Sequence, residues 1–149
     1  EKAVLEQFCA LVSTRREAHP DMRVYHYAAY ERTKLRLLQT RHNTGHDCVE
    51  RLLGELLVDL YPIVTKAVAV GLPRYGLKAL EAIYLPTGTR TGIAGGGESV
   101  VAFYRYQQLR AAADTTGAAE LKNSILRYNE IDCYSTKLLR DWLLALVES

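Results

Sequence analysis

Residues 24–31 read Val-Tyr-His-Tyr-Ala-Ala-Tyr-Glu. The run 23–27 (RVYHY) is short, β-branched and aromatic, follows the break His19-Pro20-Asp21, and reads as a strand. Residues 31–41 (ERTKLRLLQTR) then take up a helical period with Leu35 and Leu38 inward. This succession puts Glu31 at a strand-to-helix junction, where open α/β sheets place their active sites. A glutamate there also has a plain structural use, because it complements the helix macrodipole. His26 reads as a core histidine.

Working outward, residues 1–13 set Val4, Leu5, Phe8, Leu11 and Val12 on one helical face. Residues 42–47 form a polar loop. Residues 48–58 are either a helix or a helix running into a short strand near 56–59. A helix over 61–70 carries Pro62 early and ends at Gly71-Leu72-Pro73. A short helix spans 75–84, with Leu77, Leu80 and Tyr84 on one side. A flexible stretch, 86–97, ends in Gly95-Gly96-Gly97, and residues 98–113 are helical by period. The last helix, 118–147, is the longest. No internal repeat and no linker divides the chain, so a single domain is expected.

On that last helix, positions 121, 125, 128, 132, 135, 139, 142 and 146 form one seam. They hold Leu121, Ile125, Tyr128, Asp132, Ser135, Leu139, Trp142 and Leu146. Asp132 thus stands in the middle of an apolar face, one turn after Tyr128. A carboxylate there is costly unless paired, hydrogen-bonded or bound to a cation. It either joins a local network, with Arg127 or Arg140 as partner, or borders a cleft and binds a cation.

Composition narrows the classes. The 149 residues include 19 Lys+Arg and 17 Asp+Glu, a formal charge of +2, with 48% hydrophobic and 24% charged residues. That is an ordinary globular balance and excludes a polybasic mode of nucleic-acid binding. No apolar run approaches the roughly 20 residues that span a bilayer, so no membrane partner is expected. Cys9, Cys48 and Cys133 lie far apart, which is not a disulfide framework and points to a reducing cytoplasm. Ten tyrosines against two phenylalanines and one tryptophan are unusual.

The motifs carry a resemblance. His26-Tyr27-Ala28-Ala29-Tyr30-Glu31 resembles the second motif of the DnaQ-like exonucleases, His-Asn-Ala-x-Phe-Asp, which follows a strand and precedes a helix. Leu57-Val58-Asp59-Leu60 resembles the short strand and Asp-Thr-Leu that come next, and Tyr75 to Leu80 resembles the following Ser-Leu-x-x-Leu helix. Tyr128-Asn129-Glu130-Ile131-Asp132 matches Tyr-x-x-x-Asp, the last motif of the tyrosine-type (DEDDy) subset. The four pieces fall in the family's order. The nearest likeness is to the RNase H-like 3′–5′ exonuclease domain of RecB-like nuclease proteins, in Tyr25–Glu31, Val58–Tyr61, Tyr75–Glu81 and Tyr128–Thr136. Seven of the ten tyrosines lie within these matches.

The resemblance implies an α/β, RNase H-like fold and two-metal phosphodiester hydrolysis with Mg²⁺ or Mn²⁺. Glu31 and Asp132 would be metal ligands, Tyr128 would orient the attacking water, and Arg74 and Lys78 could contact nucleic acid, as could Arg105. The substrate would be DNA or RNA, single-stranded ends being favoured, with flanking nuclease and helicase domains in the parent chain. Three departures stand out. Glu31 replaces the usual Asp, Tyr27 replaces Asn, and the first motif, Asp-x-Glu on a central strand, is absent. With Glu1 rather than Met in front, the expectation is a domain fragment lacking its first strands. It should be predominantly helical with two or three short strands, and weak or inactive by itself. The alternative is a non-catalytic RNase H-like module that binds nucleic acid or protein. An arginine paired to Asp132 would favour that alternative.

Other patterns are weaker. His42, His46 and Cys48 offer three zinc ligands without a fourth in proper spacing. Gly92 to Ser99 is glycine-rich, but no Gly-Lys-Ser/Thr follows, so it is not a P-loop. Ser135 and His26 make no credible nucleophile triad.

Overall fold

The structure is a computed structural model that describes residues 1–93 and 95–147. Ala94, within the glycine-rich stretch, lies outside the described residues. The chain divides into two compact units, 1–75 and 76–149. Among the described residues no helix is long and apolar enough to cross a membrane.

The first unit begins with α1 (Lys2–Ala18), which ends where His19 leaves the helical region ahead of Pro20. Its buried residues are Leu5, Cys9 and Val12. Val4 and Leu11, expected inward, are 66% and 51% exposed, so the buried stripe is rotated toward Cys9. β1 (Val24–His26) and β2 (Leu57–Asp59) pair in parallel, with His26 opposite Asp59. They are the two strands found among the described residues. A parallel pair needs a long crossover. Here it consists of α2 (Tyr30–His42), α3 (His46–Arg51) and a π-helical turn, Leu52–Leu56.

Gly45 in the α2–α3 connection has φ +71, and a Cβ there would come within 3.3 Å of Cys9 Sγ. Glycine is therefore required both by the backbone and by the close approach of α1. The π turn resolves residues 48–58 as a helix running into a strand. Leu52, Leu53 and Leu56 are all buried in it and pack with Leu5, Val12 and Val49, against half-buried Leu35, Leu38 and Leu57. Each such leucine contributes roughly 1.5–3 kcal/mol by leaving water. α4 (Leu60–Ala67) follows β2 directly. Pro62 lies in its first turn, where no intrahelical partner for N–H is needed. The helix stops three residues earlier than expected, with Val68 already extended.

The second unit holds α5 (Leu77–Tyr84), α6 (Gly96–Ala111) and α7 (Thr115–Val147). Both α5 and α6 pack on α7. Gly96 and Gly97 belong to α6 rather than to the preceding loop. On α7 the buried row is Tyr128, Ile131, Ser135 and Leu139. Asp132 is half-buried at its edge and not in its middle, and Leu146 is 45% exposed. The seam drifts because a straight helix turns 3.6 residues per turn, not 3.5.

Candidate active site

In the first unit the C-terminal ends of the two strands gather polar groups. Asp59 Oδ1 accepts from the Ala28 backbone N–H (2.8 Å) and from Tyr61 N–H (2.9 Å). One oxygen thus ties the chain leaving β1 and caps α4. Ala28 is held at φ +63, an uncommon conformation for a residue with a Cβ. The tie and the turn bring Glu31 into the first turn of α2.

The Glu31 carboxylate is half exposed, with Oε2 3.6 Å from His26 Nδ1. That is too long for a hydrogen bond. Nδ1 lies 2.8 Å from the Ala28 carbonyl and donates to it, which leaves Nε2 as the acceptor. Nε2 is buried without a partner among the described residues. The Tyr27 hydroxyl donates to the Tyr75 carbonyl, and its ring meets Tyr61 edge-on at 5.6 Å. Burial, with Tyr61 and Asp59 nearby, pushes the Tyr27 hydroxyl up to about 12. Arg74 is exposed in this unit.

In the second unit, Tyr128 and Asp132 stand one turn apart on α7, with the Asp132 carboxylate near enough to act on the Tyr128 hydroxyl. Lys78, from the first turn of α5, places Nζ 3.4 Å from that hydroxyl and 4.9 Å from the ring centroid. Burial and the Asp132 carboxylate push Tyr128 up to about 12, so at neutral pH it is a protonated donor and not a base. Arg105 lies on exposed α6 surface.

Asp132 is paired to an arginine, but to neither of those expected. Arg127 engages Glu130 at 2.9 Å, and Arg140 engages Asp141 at 2.7 Å. The first is an i,i+3 pair along the helix and the second joins sequence neighbours. The partner is Arg90, whose Nη2 reaches Asp132 Oδ1 at 2.7 Å. Arg90 also forks onto Glu81, with Nε at 2.9 Å from Oε2 and Nη2 on Oε1. Glu81 and Arg90 side chains are only 9% and 16% exposed. The guanidinium is held well above its ordinary range, first by Glu81 and then by Asp132. Its Nη1 is buried without a partner among the described residues.

Both Glu81 and Arg90 escaped the sequence reading. Glu81 was detectable by the logic applied to Asp132, since it follows Leu80 and lies a turn from Leu77 and Tyr84 on the apolar side of α5. Arg90, in a loop between Gly88 and Gly92, carried no periodic signal.

A family model described as the RNase H superfamily matches residues 1–144. The chain belongs to the RNase H superfamily. No curated protein and no solved structure matches it. For this superfamily member, the motif residues fall at a parallel strand end (Glu31) and on the buried side of the last helix (Tyr128, Asp132).

The donor chemistry suits hard divalent cations, because the candidate ligands are carboxylates with a phenol beside them. The number is smaller than two ions require. Among the described residues no three or more His, Cys, Asp or Glu side chains gather as a metal group. The zinc candidates are engaged elsewhere: His42 with Glu1, His46 with Asn43, and Cys48 with Cys9.

Proposed function

We propose that the chain is a metal-dependent nuclease domain that hydrolyses phosphodiester bonds at nucleic-acid ends. It would act in the 3′–5′ direction as a DnaQ-like, tyrosine-type domain of a larger RecB-like nuclease and helicase protein. The observation that carries this reading is that Tyr128 and Asp132 stand one turn apart on the last helix of an RNase H superfamily member, both meeting Arg90. Glu31 in the first unit and Asp132 in the second would each be a ligand for Mg²⁺ or Mn²⁺, which when bound supplies Lewis-acid stabilisation of the phosphodiester oxygens.

The chain's own groups have definable roles. Tyr128 stays protonated and orients a water or phosphate oxygen through its O–H. Lys78 adds positive charge beside that hydroxyl, which suits an approaching phosphate. Arg74 is a further phosphate contact on the surface. By itself the domain is weak, because each unit offers one candidate carboxylate and Arg90 holds that of Asp132. Three cysteines spaced far apart in sequence fit a reducing cytoplasm.

The test is Mn²⁺-dependent release of nucleotides from 3′-labelled single-stranded DNA and RNA by the full-length encoded protein. Asp132→Asn is expected to lower the rate on the order of 100-fold or more, the scale of losing one electrostatic group at the reaction centre. A rate indifferent to Asp132→Asn refutes the assignment. One observation favours a second reading. The Arg90–Asp132 ion pair suits a non-catalytic module that binds nucleic acid or protein. That reading predicts nucleic-acid or protein binding without turnover in the same assay.

A further inference from the structure

Arg90 occupies an unusual place. It leaves a loop whose turns are made by two glycines in the left-handed region, Gly88 at φ +82 and Gly92 at φ +79. From there the guanidinium enters a nearly buried position between two carboxylates on different helices, Glu81 of α5 and Asp132 of α7. It stacks its charge 5.7 Å from the Tyr128 ring centroid, on the same ring that Lys78 approaches.

The Arg90 guanidinium faces both Glu81 and Asp132, so an arriving cation meets carboxylates that are already paired. The bonding around Arg90 is unequal. Nε and Nη2 are fully used, Nη2 serving both carboxylates, while Nη1 is buried without a partner among the described residues. The Asp132 arm is also the weaker one. Its carboxylate is 32% exposed and reached by one bond, whereas Glu81 is 9% exposed and held by two.

We propose that Arg90 is a resident counter-cation that latches Asp132, anchored on Glu81, and that a divalent cation reaches Asp132 only when the Arg90 arm withdraws. This rests on the reading of Asp132 as a metal-binding carboxylate. Because Nη2 serves both carboxylates, withdrawal from Asp132 also loosens its bond to Glu81 Oε1, and the Nε bond to Glu81 Oε2 is the tie that persists. The glycine-flanked loop supplies the backbone freedom for such a shift. Glu81 is then a positioning residue that decides where the guanidinium rests.

Mn²⁺ alone is the probe, followed by electron paramagnetic resonance of free ion and by calorimetry on the intact chain. Arg90→Gln is expected to tighten Mn²⁺ binding at least 10-fold over wild type, and adding Asp132→Asn is expected to abolish the gain. Should Arg90→Gln fail to fold with Glu81 unpaired, Arg90→Gln with Glu81→Gln makes a neutral pair that still hydrogen-bonds, and the same gain is expected there. Equal Asp132-dependent affinity in wild type and variants overturns the latch and leaves the nuclease reading standing. Absence of Asp132-dependent Mn²⁺ binding in every variant overturns both.

Discussion

Arg90→Ala is the perturbation that most directly tests how the second unit is held together. The side chain is 84% buried by the complement of its 16% exposure, and Glu81 is 9% exposed. Removing the guanidinium leaves Glu81 as a buried charge without its two bonds. Losing one partner of a buried pair costs about 3–5 kcal/mol. The Asp132 arm adds little, about 1 kcal/mol or less, because that carboxylate is one-third exposed and solvent screens it. The expected loss is therefore about 3–5 kcal/mol, most of it from Glu81. Against a total domain stability of about 5–15 kcal/mol this is large.

Trp142 is the single tryptophan, and it stacks on Tyr84 at 6.3 Å within the same unit. Urea unfolding followed by its fluorescence reports this unit. The double variant Arg90→Met with Glu81→Leu removes both charges and is expected to recover most of the loss. A loss below about 1 kcal/mol in Arg90→Ala, or a double variant as unstable as the single one, would show that Glu81 is not sealed from water and that the argument fails.

Four further outcomes follow from the same contacts. Gly45→Ala should destabilise the first unit by about 1–3 kcal/mol, measured by urea unfolding followed by circular dichroism, because the left-handed backbone is strained by a Cβ that also meets Cys9. Asp59→Ala should cost about 1–2 kcal/mol in the same assay through loss of the α4 cap and the Ala28 tie. Tyr27 and Tyr128 are raised above the ordinary tyrosine value of 10 to about 12, so folding retains their protons. Their stabilising contribution is complete below pH 10 and lost as pH rises toward 12. Absorbance titration at high pH should show two late tyrosines, and Tyr128→Phe should remove one. The Cys48 thiol is pushed up to about 12 by burial and by Cys9, so an aromatic disulfide reagent at pH 8 should label exposed Cys133 fast and Cys48 slowly.

The local elements were determined by the sequence itself. Alternation and β-branching at 24–26, the leucine period of α2 and the long seam of α7 are short-range signals, and each element formed within a few residues of its expected bounds. The motif pieces around Glu31, Asp59, Tyr128 and Asp132 were readable for the same reason. Each couples a candidate site residue to a fixed position on its own strand or helix. What tertiary structure alone decided is who meets whom. Asp132 pairs with Arg90, 42 residues earlier in sequence, and not with Arg127 or Arg140 beside it. Glu81, an unremarkable glutamate in a short helix, is the buried anchor of that pair. Rotation of the buried stripe on α1 and the π turn before β2 belong to the same class. Side-chain partners across elements depend on helix rotation and loop path, which are set by mutual packing. A chain read one segment at a time carries no record of them.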